Sequence, residues 1–478
     1  MNESLKSAYD AIIVGSGPNG LSAAIALRRE GLNVLIIERE QSIGGGMRSA
    51  ELTMPGFIHD ICSAIHPMSA GSPFFQTIPL QEFGMEYIHS PIAAAHPFDD
   101  GSVALLKNSI DDTASSLGED QASYKKLMTP LVSEWPLIVS EVLGPLHIPH
   151  HLRSMTKFGS KALLPASAFV NNYFKGEKAK GFFGGMAAHG MLPLNYIASA
   201  AAGLTLLIQG HIKGWPLIKG GSKQLATALA SYFISLGGQI QTGVQVNQMQ
   251  DIPSAKAVLF DVSPKELLRI AGTKFSGFYR RQLERYRYGM GVFKVDWALN
   301  EPIPFKVKAC LKAATVHLGD GFEEISFNEK MTIEGGHPEK PFVILAQQSI
   351  FDSSRAPDEK HTAWAYCHVP NGSIRNMKEA IEKQVERFAP GFQECILSSH
   401  TMNTKQFEIY NPNYVGGDIN GGVMDIRQLY TRPAIGISPY RTSAKGIYIC
   451  SASTPPGGGV HGMCGYHAAK RVLKDVFV

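Results

Sequence analysis

The sequence predicts an α/β chain: a Rossmann-like domain assembled from distant segments, with an inserted domain of antiparallel sheet plus helices. Three stretches predict it. YDAIIVGSGPNGLSAAIALRREGLNVLIIERE reads as strand, glycine turn, helix and strand ending in an acid. IKGGSKQLATALASYFISLGGQIQTGVQVNQM adds a turn, helix and strand in mid-chain. YICSASTPPGGGVHGMCGYHAAKRVL leads a glycine-rich loop into a helix at the far end.

In the first stretch, the apolar run Ala11 to Val14 reads as a buried parallel strand. It enters the G-x-G-x-x-G of Gly15, Ser16, Gly17, Pro18, Asn19 and Gly20. Gly15 permits the tight turn, Gly17 lets a pyrophosphate approach the backbone, and Gly20 lets the helix pack on the strand. Helical periodicity follows through Leu21, Ile25 and Leu27, and Gly31 ends it. The run Val34 to Ile37 is the second strand, and Glu38 after it stands where a ribose hydroxyl is accepted. A glycine turn without ligand is the alternative, but strand, turn, helix and acid together point to a bound dinucleotide.

The next residues separate NAD from FAD. Gly44, Gly45, Gly46 and Arg48 follow the acid directly. An NAD domain has no reason for this second glycine patch and cation. In an FAD domain the patch approaches the phosphates and ribitol, and Arg48 pairs with a phosphate. In mid-chain a helix is expected from Gln224 to Leu236, then a strand ending near Val246 and another from Ala257 to Asp261. In the tail a strand from Gly446 to Cys450 precedes a helix starting near Val460 to Gly462.

GGGMRSAELTMPGFIHDICSAIHPM resembles the GG-R-x(n)-G-F-x-x-D segment of phytoene desaturases, retinol saturases and the broader FAD-linked amine oxidase group, through Gly45, Gly46, Arg48, Gly56, Phe57 and Asp60. The tail resembles the C-terminal flavin motif of the same families. PPGGGVHGM, with GGDINGG before it, looks closest to the pyridine nucleotide-disulfide oxidoreductase domain-containing branch. The resemblance implies an FAD-binding domain of the glutathione reductase/amine oxidase type. It implies that Val246 lines the adenine end through its backbone. It also implies that the tail helix points its N-terminus at the flavin pyrimidine edge, where reduced flavin carries negative charge. Ser16, Asn19, Arg39, Ser451, Gly459, Val460 and His461 join the implied cofactor set. The FAD is expected to be non-covalent, since no Cys or His stands in an obvious attachment context, although Cys464 and His461 lie close by.

The motifs lie at opposite ends of 478 residues, so the FAD-binding domain is expected to comprise 1–75, 215–275 and 420–478. Residues 76–214 and 276–419 are expected to form the substrate domain. RYRYGMGVFKVDWALN and PFVILAQQSIFD read as two of its strands. IRNMKEAIEKQVERFAP reads as an exposed helix burying Ile381, Val385 and Phe388. Hydrophobic content of 44% and charge of 18% fit a globular enzyme, and a net charge of +4 is too small for nucleic-acid binding as a primary role. Cys62, Cys310, Cys367, Cys395, Cys450 and Cys464 form no C-x-x-C, which argues against a redox disulfide and a cysteine zinc site. Scattered cysteines and a polar start, MNESLKSAYD, without a signal-peptide core suggest a cytoplasmic protein with no long transit segment.

Residues 181–211 contain no Lys, Arg, Asp or Glu, but Pro193, Asn195 and several glycines break the run. It is expected to supply core or substrate-tunnel helices, with no transmembrane helix. Before it, Arg153, Lys157, Lys161, Lys175, Lys178 and Lys180 stand against Glu177 alone over 151–180. That stretch is a candidate for peripheral contact with an anionic membrane surface, a solvated helical face being the alternative.

His147, His150 and His151 carry no acid at ligand spacing, so no metal site is expected. His461, at the start of the flavin-facing helix, and His66, in CSAIHPM, are the catalytic candidates; a packing role behind the site is the alternative for His461. Asp418 orients a turn or meets substrate. The expected activity is that of an FAD-dependent, phytoene-desaturase-like oxidoreductase. It would take a hydride from an apolar small molecule held at flavin N5 in a dry cavity, with oxygen or a quinone as acceptor. A saturase or isomerase is the first alternative, and a non-catalytic binding protein of the same fold the second.

Overall fold

The computed structural model describes residues 9–429 and 431–477. The first eight residues, part of the polar start read above, lie outside them. In chain order the strands of the two main sheets are β1 (Tyr9–Val14), β2 (Val34–Ile37), β3 (Ile92–Pro97), β4 (Val103–Leu106), β5 (Gln239–Gln241), β6 (Ala255–Phe260), β7 (Gly291–Leu299), β8 (Ala313–Leu318), β9 (Val343–Ala346), β10 (His361–Val369), β11 (Ile396–Met402) and β12 (Ile447–Ile449). The helices that matter here are α1 (Pro18–Arg29), α2 (Gln121–Val142), α3 (Leu152–Ala162), α4 (Glu177–Ala188), α5 (Ala200–Ile212), α6 (Lys223–Ser235), α7 (Lys378–Phe388) and α8 (Met463–Val472).

One sheet is parallel throughout, in the order β12–β6–β1–β2–β5. Its central strands are buried apolar runs, as a sheet covered on both faces requires. α1, α6 and α8 pack on it through Leu21, Ile25, Leu225, Leu229, Ala468 and Val472. Strand topology thus joins the head, middle and tail of the chain in one sheet.

The second sheet has the order β11–β7–β10–β9–β8–β3–β4 and is antiparallel except for β8 beside β3. One face packs under α7, whose Ile381, Val385 and Phe388 are buried as the periodicity predicted. The other face carries polar and aromatic side chains in register. Lys294 pairs with Tyr366, Tyr366 with Ile344, and Ile344 with His317; Thr315 opposite Ala94 then sets His317 beside His96. That face, with α3 to α5, encloses the apolar part of the site.

The charge-free stretch forms the end of α4, a turn at Pro193–Asn195, and α5. Among the described residues no helix is long and apolar enough to cross a membrane. One expected strand differs. β5 stops at Gln241, and residues 242–246 run irregularly to Val246, with Gly243 at φ +70°. The exposed QTGVQ offers no buried face to hold a longer strand.

Candidate functional site

A single cavity of about 740 Å³ begins at the glycine turn after β1 and ends against the apolar side chains of helices α3 and α5. Its near end is lined by Gly15, Ser16, Gly17, Asn19, Glu38, Arg39, Gly45, Gly46, Arg48 and Val246. Gly459, Val460 and His461 of the tail line it further along. Gly20 and Ser451, assigned to the same set by sequence, do not line it. Gly20 serves packing: a Cβ there would overlap the Gly15 carbonyl oxygen. Ser451 turns the chain after β12, its carbonyl accepting from Thr454 Oγ1 at 2.8 Å.

The turn is held from two sides. Glu38 Oε2 accepts from Ser16 N at 2.9 Å and Ser16 Oγ at 2.6 Å. A carboxylate has about four acceptor positions, so capacity for a ribose hydroxyl remains. Asp261, at the end of β6, accepts from Gly20 N at 2.8 Å, and its carboxyl lines the cavity. Burial pushes the Asp261 carboxyl up to about 7, the Gly20 amide opposing and Glu38 adding to the rise. Sequence reading saw Asp261 only as a strand end; its contact with the turn, 241 residues away in sequence, left no local signal.

Arg48 was expected to pair with a phosphate. Its guanidinium lines the cavity and donates from Nε to Gly45 O at 3.0 Å and from Nη2 to Tyr410 O at 3.1 Å. It lies over the Tyr410 ring with its carbon 4.0 Å from the centroid. The cation therefore braces the second glycine patch, whose Gly45 also accepts from Tyr410 Oη at 2.8 Å. The two patches are close: a Cβ on Gly45 would stand 3.1 Å from Gly17 Cα. Arg39 turns to Glu40, with Nε donating at 2.9 Å.

His461 is 1% exposed, and its Nδ1 accepts from Met463 N at 3.0 Å, capping α8. The proton therefore resides on Nε2, which is buried without a partner. Burial lowers its pKa to about 4, so the ring is neutral at pH 7 and brings a donor, not a charge, to the cavity. α8 begins at Met463, just after the expected span, with Val460 held at φ +51°. His66 is a correction: Ile65 and Pro67 line the cavity and His66 does not. Its Nε2 donates to Ser222 Oγ at 2.8 Å, and Ser222 Oγ donates to Ser63 O, so the ring ties the segment to α6. Asp418 accepts from Gly289, Asn420 and Gly422 amides and orients its turn. The Arg432 guanidinium, missed in the sequence, is fully buried beside Gly457. It donates to Gly421 O and Ala452 O, and its Nε and Nη1 have no partner.

These features fit a dinucleotide: helix N-terminus, facing glycines, an acid at the end of β2, and partnerless buried polar atoms at Asn19 Oδ1 and His461 Nε2. Beyond them the walls turn apolar, with Met155, Phe158, Ala202 and Leu206 from the helices and Ile344, Trp364 and Tyr366 from the sheet. His189 is a polar group there, its Nε2 2.8 Å from His317 Nε2.

The sequence profile of the NAD(P)-binding Rossmann-like domain matches residues 13–77. Mouse pyridine nucleotide-disulfide oxidoreductase domain-containing protein 2 is 24% identical, over 99% of this chain and 95% of its own. A limonene dehydrogenase component from Castellaniella defragrans is 22% identical, over 98% and 95%. Among solved structures, putrescine oxidase bound to putrescine superposes with a TM-score of 0.63 at 17% identity, covering 98% of both chains. The six cysteines are unpaired, so the disulfide in the first relative's name has no counterpart among them. The chain is thus of oxidoreductase type, with an N-terminal NAD(P)-binding Rossmann-like domain, a relative along its length of pyridine nucleotide-disulfide oxidoreductase domain-containing protein 2 on a fold shared with putrescine oxidase.

Proposed function

We propose that the protein is an FAD-dependent oxidoreductase that takes a hydride from a C–H bond of an apolar small molecule, in the manner of a phytoene desaturase, with oxygen or a quinone as final acceptor. The observation that carries this reading is the continuity of one cavity from the glycine turn, past the tail loop, into apolar walls. Bound FAD supplies the hydride acceptor. The chain supplies the rest. The turn and Glu38 hold the dinucleotide, the tail loop and His461 Nε2–H border the reacting region, and Leu206, Phe158 and Trp364 exclude water. The limonene in one relative's name supports an apolar substrate. Cys464 donates to Thr454 O and Gly457 O inside the protein, and burial raises its thiol to about 11, which supports non-covalent attachment.

The purified protein should be yellow, and acid precipitation should release all the colour. Anaerobic addition of a small panel of terpenes and long-chain amines should bleach the flavin band with at least one member. Colourless protein would overturn the FAD assignment, and colour retained in the pellet the non-covalent one. Bleaching by the amines alone would overturn the apolar substrate class.

We also propose peripheral contact with an anionic membrane at the cavity mouth. Leu146, Ile148 and Leu152 are 71%, 89% and 64% exposed there, beside Arg153 and Lys161 of α3. Lys157 pairs with Glu134, so the basic face is weaker than its composition suggests. Vesicles of phosphatidylserine and phosphatidylcholine should co-sediment the protein, and Ile148→Glu should abolish this. Equal recovery of variant and parent with the vesicles would refute the contact.

A further inference from the structure

The loop at the cavity mouth brings together three groups from residues 141–150. α2 ends at Val142, and the chain turns back so that His147 and His150 reach Glu141 near the end of that helix. One ligand-capable atom from each of Glu141, His147 and His150 lies within 4.8 Å of the others. No acid was expected beside these histidines; the helix end, upstream of both, supplies one.

The protonation pattern suits a cation. His147 Nδ1 lies 2.9 Å from Pro145 O. A carbonyl only accepts, so Nδ1 carries the proton and Nε2 keeps its lone pair. This is the arrangement of metal-bound histidines, which donate their other N–H to a carbonyl or carboxylate. His150 Nδ1 stands 3.3 Å from Glu141 Oε1, which also accepts from His150 N at 2.9 Å. The Glu141 side chain is only 5% exposed, yet its Oε2 has no hydrogen-bond partner. A buried carboxylate oxygen left unpaired beside two imidazoles is costly without a cation.

We propose that Glu141, His147 and His150 form a Zn²⁺ site that fastens the 143–151 loop to the end of α2 at the cavity mouth. Two imidazole nitrogens and a carboxylate oxygen are the donor set of open zinc sites, the fourth position being left to water. In a tetrahedral site with bonds of about 2.0–2.2 Å, two ligand atoms stand about 3.3–3.6 Å apart. The three ligand atoms, within 4.8 Å of one another, must therefore draw together, which the 80%-exposed His150 ring can do by rotation. Glu141 and His147 both line the cavity, so the ion would sit on the path into it.

Equilibrium dialysis of the untagged, full-length protein against ZnCl₂ tests this. One Zn²⁺ per chain is expected, with its dissociation constant raised about tenfold or more in His147→Ala, His150→Ala and Glu141→Gln, on the scale seen when the surroundings of a bound metal are altered. Unchanged flavin content and thermal midpoint in the histidine variants would show that the fold is intact. Absence of saturable uptake overturns the proposal. So does uptake of equal affinity in the His147→Ala/His150→Ala double variant, which would place the ion elsewhere.

Discussion

Arg355→Ala should destabilise the protein by about 3–5 kcal/mol, because it leaves a buried carboxylate without its counter-charge. Arg355 and Asp60 are each 1% exposed and pair through Nη2 and Oδ2. Asp60 Oδ1 accepts from Ser49 Oγ at 2.7 Å and from Ser222 N at 2.8 Å, at the head of α6. Arg355 comes from the loop between β9 and β10 and also donates to Ile58 O at 3.2 Å. The pair therefore clamps the second sheet onto the segment carrying the glycine patch.

The pH dependence has a definite sign. Burial pushes the Asp60 carboxyl up, but Arg355 and the bonds from Ser49 and Ser222 outweigh it and hold it below the usual range. A lowered folded-state pKa stabilises above the unfolded value of about 3.9 and loses that contribution as pH falls below it. Without Arg355 the buried carboxyl shifts up instead, so the variant is penalised most at neutral pH. Denaturant titrations at about pH 7 and about pH 4.5 should therefore show a gap between variant and parent that narrows at the lower pH. A gap under about 1 kcal/mol at neutral pH, the scale of an exposed pair, would show that the clamp is not holding the second sheet to that segment.

Asp60 shows what was legible in the sequence and what was not. Its place in GFIHD was legible as part of the motif that the segment resembles. Its partner, 295 residues on in an irregular loop, left no pattern to read. The same division holds elsewhere. Val34–Ile37 was legible to the residue, since a short apolar run between Asn33 and Glu38 has one way to be a buried parallel strand. Lys223–Ser235 came within one residue at each end. His66 was misread because proximity along the chain does not fix side-chain direction, and Ser222 turns it from the cavity. Glu141 escaped notice beside His147 and His150 because only the fold-back after α2 closes that distance. Local patterns placed the backbone of the site; long-range partners decide what its side chains do.

The tail supplies the other large effect. Gly465→Ala should destabilise the protein by about 3 kcal/mol, the upper end of the range for overpacking, and should strip it of flavin if FAD is the cofactor. α8 crosses α1 with backbone against backbone. A Cβ on Gly465 would overlap the Asn19 carbonyl oxygen and stand 2.6 Å from its carbon and 3.0 Å from Ala23 N. No flexible side chain can yield there, so one helix must move. Asn19 belongs to the glycine turn after β1, so movement of α1 carries the phosphate-binding amides with it. A Cβ on Gly462 would likewise strike Ser22 Oγ and the Phe75 ring, which marks a second contact in the same crossing. Gly277→Ala is the matched control: its Cβ would meet nothing within 4 Å and its φ is not positive, so it should stay within about 0.5 kcal/mol of the parent. Thermal melts and flavin absorbance of the two variants, purified in parallel, make the comparison. If Gly465→Ala melts with the control and keeps full colour, the crossing is looser than the geometry states. The head and tail motifs would then reach the cavity independently rather than through one interlocked pair of helices.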